Sequence, residues 1–157
     1  MKSKLPYHKQ QTPFTCSLAC LRMVLESIGK QLSESELSKI VEFKPIKGFS
    51  PKMMDLLCEI INLEYNYHFD SSLDEVKKAI EADFYPIVLV NPSILYNLPE
   101  EEHGHYIIVK DIIGEKVIIN DPDQEYGGED KEVGKERFLE SWKNKYGMIF
   151  VIKGEKK

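Results

Sequence analysis

Apolar residues early in the chain recur at three- and four-residue steps, which is the period of an amphipathic helix. The pattern is clearest between Cys16 and Ile28, and Gly29 follows at the place where such a helix would end. The apolar positions within it are Ala19, Cys20, Met23 and Val24. The spacing therefore predicts a helix that begins at Cys16.

Two further helices are predicted by the residues at their starts. Ser33 is followed three residues later by Glu36, which is the spacing of a capping box. Ser50 is followed by Pro51, which is favoured in the first turn because the missing amide proton costs nothing there. The first third of the chain is therefore predicted to be helical.

The rest of the chain is richer in short apolar or alternating runs, which are typical of strands. Ser72 with Glu75 indicates one more helix, and a last one is expected around 135–144. The predicted strands cover 63–69, 86–90, 105–113, 116–120 and 148–152. Helices followed by an antiparallel sheet give the α+β class, and we expect residues 1–157 to form a single domain.

Composition narrows the functional classes. A net charge of −5 and a pI near 5.5 argue against nucleic acid as a partner, because phosphate recognition needs a clustered positive surface. No stretch approaches the roughly 18–20 apolar residues of a membrane span, and no signal-peptide core is present, so a cytoplasmic location is expected. The three cysteines cannot all pair with one another, and each is either a core residue or a chemical group.

Cys16 is the first candidate for chemistry. At a helix start, unpaired backbone amides and the helix dipole favour a thiolate over a thiol. The simpler reading is a small apolar core residue. Gln10 stands six residues earlier, and its side-chain amide is a suitable donor for an oxyanion beside that helix start, with Gln11 as a competitor for the role.

His105 and Asp121 are the next candidates. His105 precedes an apolar strand that would fix its ring, as a general base requires, and His103 would point to the same face. Asp121 ends the following strand and could orient the ring through its second nitrogen. If the two strands pair across a tight hairpin, the two side chains come within reach of each other. A solvated histidine and an ordinary Asp-Pro turn are the alternatives.

Metal binding and core packing are alternative uses of these residue types. Cys16 and Cys20 stand one helical turn apart and could bind a metal, with His8, His103 and His105 as further ligands. The helical spacing, however, turns Cys20 toward the core. The aromatic pair Phe138 and Trp142 is expected in the core. An acidic segment resembles a calcium loop in charge only, and a solvated loop is expected there; it contains Asp121, Asp123, Glu125, Glu129 and Asp130.

Three stretches together resemble the bacteriocin-processing double-glycine peptidases and their stand-alone relatives, which have a papain-like fold. They are LPYHKQQTPFTCSLACLRMVL, GHYIIVKDIIGEKVIINDPD and ERFLESWKNKYGMIFVI. The resemblance implies a cysteine peptidase with Cys16 as nucleophile, His105 as general base, Asp121 as its orienting partner and Gln10 as oxyanion donor. It further implies a peptide or protein substrate, no cofactor, and a functional link to a peptide exporter.

The chain differs from this family at one position beside the nucleophile. The family usually has glycine directly after the cysteine, whereas Ser17 stands here, and a side chain at that place could narrow the oxyanion site. Two alternatives follow: a non-catalytic peptide-binding module of the same fold, and an acyl or amide transferase using the same triad. The resemblance also implies a double-glycine leader as the substrate.

Overall fold

The computed structural model describes residues 4–44, 50–99 and 103–157. Within these ranges the helices are α1 (Cys16–Ser27), α2 (Glu34–Val41), α3 (Pro51–Ile60), α4 (Leu73–Glu81), α5 (Pro92–Tyr96) and α6 (Lys135–Lys143). The strands are β1 (Leu63–His68), β2 (Ile87–Val90), β3 (His105–Ile113), β4 (Lys116–Asp121), β5 (Gly128–Gly134) and β6 (Ile149–Glu155). The predicted α+β class is confirmed.

Three helices begin at the serines that the sequence indicates. The Ser33 side chain accepts from the Glu36 amide and the Glu36 side chain accepts from the Ser33 amide, so the capping box is complete. Ser50 and Ser72 each accept a hydrogen bond from an amide three residues later. These starts were predictable because both partners of each bond lie within one helical turn.

The strands of the described residues form one antiparallel sheet in the order β1-β6-β2-β3-β4-β5. A tight hairpin joins β3 to β4, and Ile108 lies opposite Asn120 in that pair. The first residue of β3 and the last residue of β4 therefore lie at the same end of the hairpin. These two residues are His105 and Asp121.

Alternate residues of β3 point to opposite faces of the sheet and enter different apolar clusters. Tyr106 and Ile108 pack in the cluster that contains the buried faces of α1, α2 and α3. Ile107 and Val109 pack in a second cluster, to which α4, α5 and α6 contribute. The predicted core positions Phe138 and Trp142 are confirmed, since both are fully buried in the second cluster. Helices thus cover both faces of the sheet.

Two elements were not predicted. The short helix α5 has only five residues, too few for a helical period to be visible. The strand β5 includes Glu129 and Asp130, so the expectation of a solvated loop over the whole acidic segment is wrong for these residues. Asp130 forms an ion pair with Lys110 at 2.5 Å, and its amide donates to the Asn120 side chain at 3.0 Å.

Within the part of the chain that the structure describes, no helix has both the length and the apolar character needed to cross a bilayer.

Candidate active site

The structure brings three of the predicted site residues together. Cys16 opens α1, His105 opens β3 and Asp121 closes β4. The His105 Nε2 atom lies 2.6 Å from Oδ1 of Asp121. The imidazole also interacts with the Cys16 side chain, whose negative charge and hydrogen bonding favour the protonated ring. The histidine therefore bridges the sulfur and the carboxylate.

The contact between His105 and Asp121 is diagonal across the hairpin. Because Ile108 pairs with Asn120, continuing the register places Asp121 opposite Ile107, two residues from His105. Residues two apart on an antiparallel pair share one face, and their side chains reach each other when one of them is long. This explains how a histidine and an aspartate that are not directly opposite form a short hydrogen bond.

The charges around His105 favour its protonated form. Burial by itself lowers the pKa of the ring, because it disfavours the charged state. The negative charges of Cys16 and Asp121, with the hydrogen bonds to both, outweigh burial and raise the pKa of His105 well above its ordinary value. The site is therefore built to hold an imidazolium next to the sulfur.

Both oxygens of the Asp121 carboxylate are occupied. The side chain is fully buried, and its Oδ1 accepts from the Asp123 amide at 2.8 Å as well as contacting His105. Oδ2 accepts from the hydroxyl group of Tyr96. The Tyr7 hydroxyl donates to the backbone carbonyl of Asp121 at 2.6 Å. A buried carboxylate without such donors would be costly, and here each oxygen has at least one.

Gly127 closes the space on another side of Asp121. A Cβ atom built on Gly127 would stand 2.3 Å from the Cβ of Asp121 and 2.7 Å from its Oδ2. No side chain fits at that distance. The close approach of this backbone therefore depends on glycine and keeps the aspartate in one position.

The start of α1 leaves its first amides available. Thr15 is the N-cap residue, yet its side chain makes no capping hydrogen bond. The first bond inside the helix runs from the Ala19 amide to the Thr15 carbonyl at 3.0 Å, and the Thr15 hydroxyl is instead engaged with Thr12. Unpaired amides at a helix start, with the positive end of the dipole, are suited to bind an anion beside Cys16.

Gln10 lies next to the end of β4, because its backbone amide donates to the Pro122 carbonyl at 2.8 Å. Its side-chain Nε2 donates to the Thr12 carbonyl at 3.0 Å, and its buried Oε1 has no partner among the described residues. The predicted oxyanion donor is thus turned toward its own loop. The competing Gln11 has an exposed side chain and uses only its backbone amide, which donates to Glu34.

Ser17, the residue that differs from the family pattern, faces the interior. Its side chain is only 1% exposed, and its hydroxyl has no hydrogen-bond partner within the described ranges. The hydroxyl group is therefore directed away from the solvent from which a substrate would approach the partly exposed Cys16.

The remaining candidate groups do not join the site. His103 is exposed, and His8 pairs with Glu26 at 2.5 Å. Cys20 is buried, and its thiol donates to the Tyr106 carbonyl at 3.4 Å. Over residues 4–44, 50–99 and 103–157, no group of three or more histidine, cysteine or acidic side chains is placed to hold a metal ion.

Three residues of the site had no signal in the sequence. Tyr7 and Tyr96 lie 114 and 25 residues along the chain from their partner Asp121. Glu34 lies 23 residues from its partner Gln11. Tyrosines and glutamates are common on protein surfaces, and none of the three stands in a recognisable spacing. Only the tertiary structure shows that they contact the loop before Cys16 or Asp121.

Comparisons with known proteins agree with this architecture. The model of the Peptidase C39-like family matches residues 2–148. The structure is similar to a C39-like peptidase from Bacillus anthracis, with 16% identity, TM-score 0.78, and 99% of this chain and 97% of that chain covered. It is also similar to the peptidase domain of Streptococcus ComA, a bifunctional ABC transporter involved in quorum sensing. There the identity is 18%, the TM-score 0.77, and the coverage 97% of this chain and 100% of that chain.

A third similar structure is a double glycine motif protease from an AMS/PCAT transporter in complex with the leader peptide. The identity is 19% and the TM-score 0.73, with 98% of this chain and 94% of that chain covered. At these identities the solved structures establish the fold. No curated protein matches the chain in sequence.

Proposed function

Because the chain belongs to the Peptidase C39-like family, we propose that it is a cysteine peptidase with Cys16 as its nucleophile. His105 is the general base that later acts as acid, and Asp121 orients its ring. The observation that carries this proposal is that one imidazole contacts the Asp121 carboxylate at 2.6 Å and also interacts with the Cys16 side chain. Residues 1–157 form a single peptidase domain, in keeping with the one sheet of the described residues and the family match over 2–148.

In the proposed reaction, His105 takes the proton of Cys16 and holds it as an imidazolium. The thiolate attacks the carbonyl carbon of the scissile peptide bond, and the carbonyl oxygen becomes an anion. When this intermediate collapses, His105 gives the proton to the leaving amine and a thioester to Cys16 remains. Water, deprotonated by His105, then attacks the thioester and releases the acid with a free thiol.

The oxyanion is stabilised by donors at the start of α1 and by Gln10. The Cys16 backbone amide is one of the amides at the start of α1, where the N-cap residue Thr15 makes no capping hydrogen bond. Gln10 turns its Nε2 from the Thr12 carbonyl to the oxyanion as the substrate binds. The cost of that turn is small, because the side chain forms a single described hydrogen bond and its Oε1 gives up no partner.

Ser17 does not oppose this mechanism. A non-catalytic binding module was an alternative because a side chain after the nucleophile could narrow the oxyanion site. The Ser17 side chain is buried on the inner side of α1, so it leaves the solvent side of Cys16 unobstructed. Its burial therefore favours the catalytic reading.

The substrate we propose is a peptide precursor with two small residues before the cleaved bond. This rests on the similarity to a double glycine motif protease whose structure contains a leader peptide. Two of the similar structures come from transporters, so a peptide exporter is the proposed functional partner. The order of events would then be removal of the leader followed by export of the released peptide.

Synthetic peptides test both parts of this proposal. One peptide carries Gly-Gly before the bond to be cut, and matched peptides carry Gly-Ala, Val-Gly or Val-Val at the same place. We expect Cys16-dependent cleavage after Gly-Gly and Gly-Ala, and none with the Cys16→Ala protein. Equal cleavage of all four peptides would refute the leader specificity but keep the peptidase. The absence of Cys16-dependent cleavage in these peptides and in a random library would refute the peptidase.

A further inference from the structure

Glu34 is a buried carboxylate that the proposed mechanism does not use. It opens α2, and its side chain is 3% exposed. Its Oε2 accepts from the Gln11 backbone amide at 3.1 Å, and the Thr15 side chain also favours the charged form of the carboxyl group. Both residues belong to the 10–15 loop that leads into Cys16. A helix of the first apolar cluster is thereby tied to the loop before the nucleophile.

The charge of Glu34 is stabilised mainly by this loop. Burial raises the pKa of the carboxyl group above its ordinary value, while the Thr15 hydroxyl, the Gln11 amide and the charges of Arg22 and His8 act against that rise. In the described part of the chain neither Arg22 nor His8 forms an ion pair with it, and its Oε1 accepts no hydrogen bond. A carboxylate kept inside the protein with so few donors is a costly feature that packing alone does not require.

The orientation of Thr15 connects Glu34 to the oxyanion site. A threonine at an N-cap position normally accepts a hydrogen bond from an amide of the first helical turn. Here the hydroxyl bonds to Thr12 instead, and no capping bond forms. If the 10–15 loop lost its anchor at Gln11 and shifted, the Thr15 side chain would be able to leave Thr12, rotate and occupy amides that an oxyanion needs.

We propose that Glu34 is a positioning residue for the oxyanion site, which it keeps open by holding the Gln11 amide and thereby fixing the 10–15 loop. This inference rests on the proposed function. Glu34 touches neither the substrate nor Cys16. It acts through the loop, which carries Gln10 and ends at the free amides of α1.

The test separates the nucleophile from the oxyanion site. Iodoacetamide reacts with the Cys16 thiolate by displacement and needs no oxyanion donors. With a peptide aldehyde such as acetyl-Leu-Gly-glycinal, the Cys16 sulfur adds to the aldehyde carbon to form a hemithioacetal. The former carbonyl oxygen then lies in the oxyanion site. Both reactions are measured on the full chain for the unaltered protein and for Glu34→Gln, Glu34→Ala and Glu36→Ala.

Glu36→Ala is the matched control, because it removes the same side chain from the same helix. It breaks the capping box of α2 without removing a contact to the 10–15 loop. For Glu34→Ala we expect aldehyde affinity to fall about tenfold or more, while alkylation of Cys16 changes by less than about threefold. Glu34→Gln keeps an oxygen for the Gln11 amide, so it and Glu36→Ala should stay close to the unaltered protein in both reactions.

The outcomes distinguish this inference from the proposed function. If the unaltered protein forms no Cys16 adduct with the aldehyde, the peptidase and the role of Glu34 both fail. If the adduct forms but Glu34→Ala leaves its affinity unchanged, only the role of Glu34 is refuted. An equal loss of alkylation and aldehyde binding, or the same loss in Glu36→Ala, would identify a purely structural effect and overturn the inference as well.

Discussion

Tyr96 donates its hydroxyl proton to Oδ2 of Asp121, the carboxylate oxygen that His105 does not contact. Burial, and after it the charge of Asp121, raise the pKa of the Tyr96 hydroxyl group. The group therefore stays protonated and remains a donor at any physiological pH. Tyr96 in turn stacks on Tyr126, with ring centroids 6.2 Å apart. The aspartate of the proposed triad is thus fixed from α5 as well as from β3.

Replacing Tyr96 with phenylalanine should weaken both the fold and the site. The change leaves a fully buried carboxylate oxygen without its donor, so we expect the free energy of unfolding to fall by about 1–3 kcal/mol in urea titrations. Alkylation of Cys16 should also slow, because Asp121 can then rotate away from His105. Tyr126→Phe keeps the stacked ring and is the control. Equal stability of the two variants would contradict the importance of the hydroxyl group.

The contact of Gly127 with Asp121 leads to a second prediction. Gly127→Ala should displace Asp121, because the added methyl group would lie 2.3 Å from the Asp121 Cβ. We expect a lower free energy of unfolding and slower alkylation of Cys16. Gly134→Ala is the matched change, since a Cβ at Gly134 meets nothing within 4 Å. Alkylation that slows equally in both variants would show that the loss is unrelated to Asp121.

The titration of His105 offers a third prediction. Burial lowers the pKa of His105, but the charges of Cys16 and Asp121 raise it by more than burial lowers it. The ring should therefore stay protonated at pH values above its ordinary pKa of about 6.5. Nuclear magnetic resonance of the labelled imidazole should show this in the unaltered protein. The pKa should fall in Cys16→Ala and in Asp121→Asn, since each removes a negative charge. A ring that titrates at or below its ordinary value in the unaltered protein would contradict the arrangement.

The same shift has a consequence for stability. A histidine whose pKa is higher in the folded than in the unfolded protein binds its proton more tightly when folded. The protonated His105 therefore stabilises the fold fully below about pH 6.5, the unfolded value, and this contribution is lost as the pH rises through the folded pKa. In Asp121→Asn, urea unfolding should show a smaller loss of stability than in the unaltered protein as the pH rises through this range. An identical pH dependence in both proteins would argue against the shift.

The fold could be predicted where its signals are local. The caps of α2, α3 and α4 lie within four residues, and β3 shows a continuous apolar run. The starts of the three helices and both bounds of β3 were therefore predicted correctly. The edge strand β5 was missed because only the first and sixth of its seven residues are buried, which hides the alternation that marks a strand. Such a strand forms because β4 supplies its hydrogen-bond partners.

The candidate site divides in the same way. Cys16, His105 and Asp121 could be proposed because a helix start, a strand start and a strand end each restrict what a side chain can do. Tyr96 and Glu34 could not, because their contacts depend on how α5 and α2 pack against distant segments. The orientation of Gln10 is also a tertiary feature, since its side chain and backbone bond to Thr12 and Pro122 respectively.

The most direct measurement of the central claim is the alkylation rate of each cysteine in the folded protein near neutral pH. Burial raises the pKa of Cys20 well above its ordinary value and that of Cys58 to about 12, so both should react slowly. Cys16 should react at least about a hundredfold faster, and His105→Ala or Asp121→Asn should slow it by about tenfold. Equal rates for the three cysteines, or a Cys16 rate indifferent to both substitutions, would contradict the proposed triad.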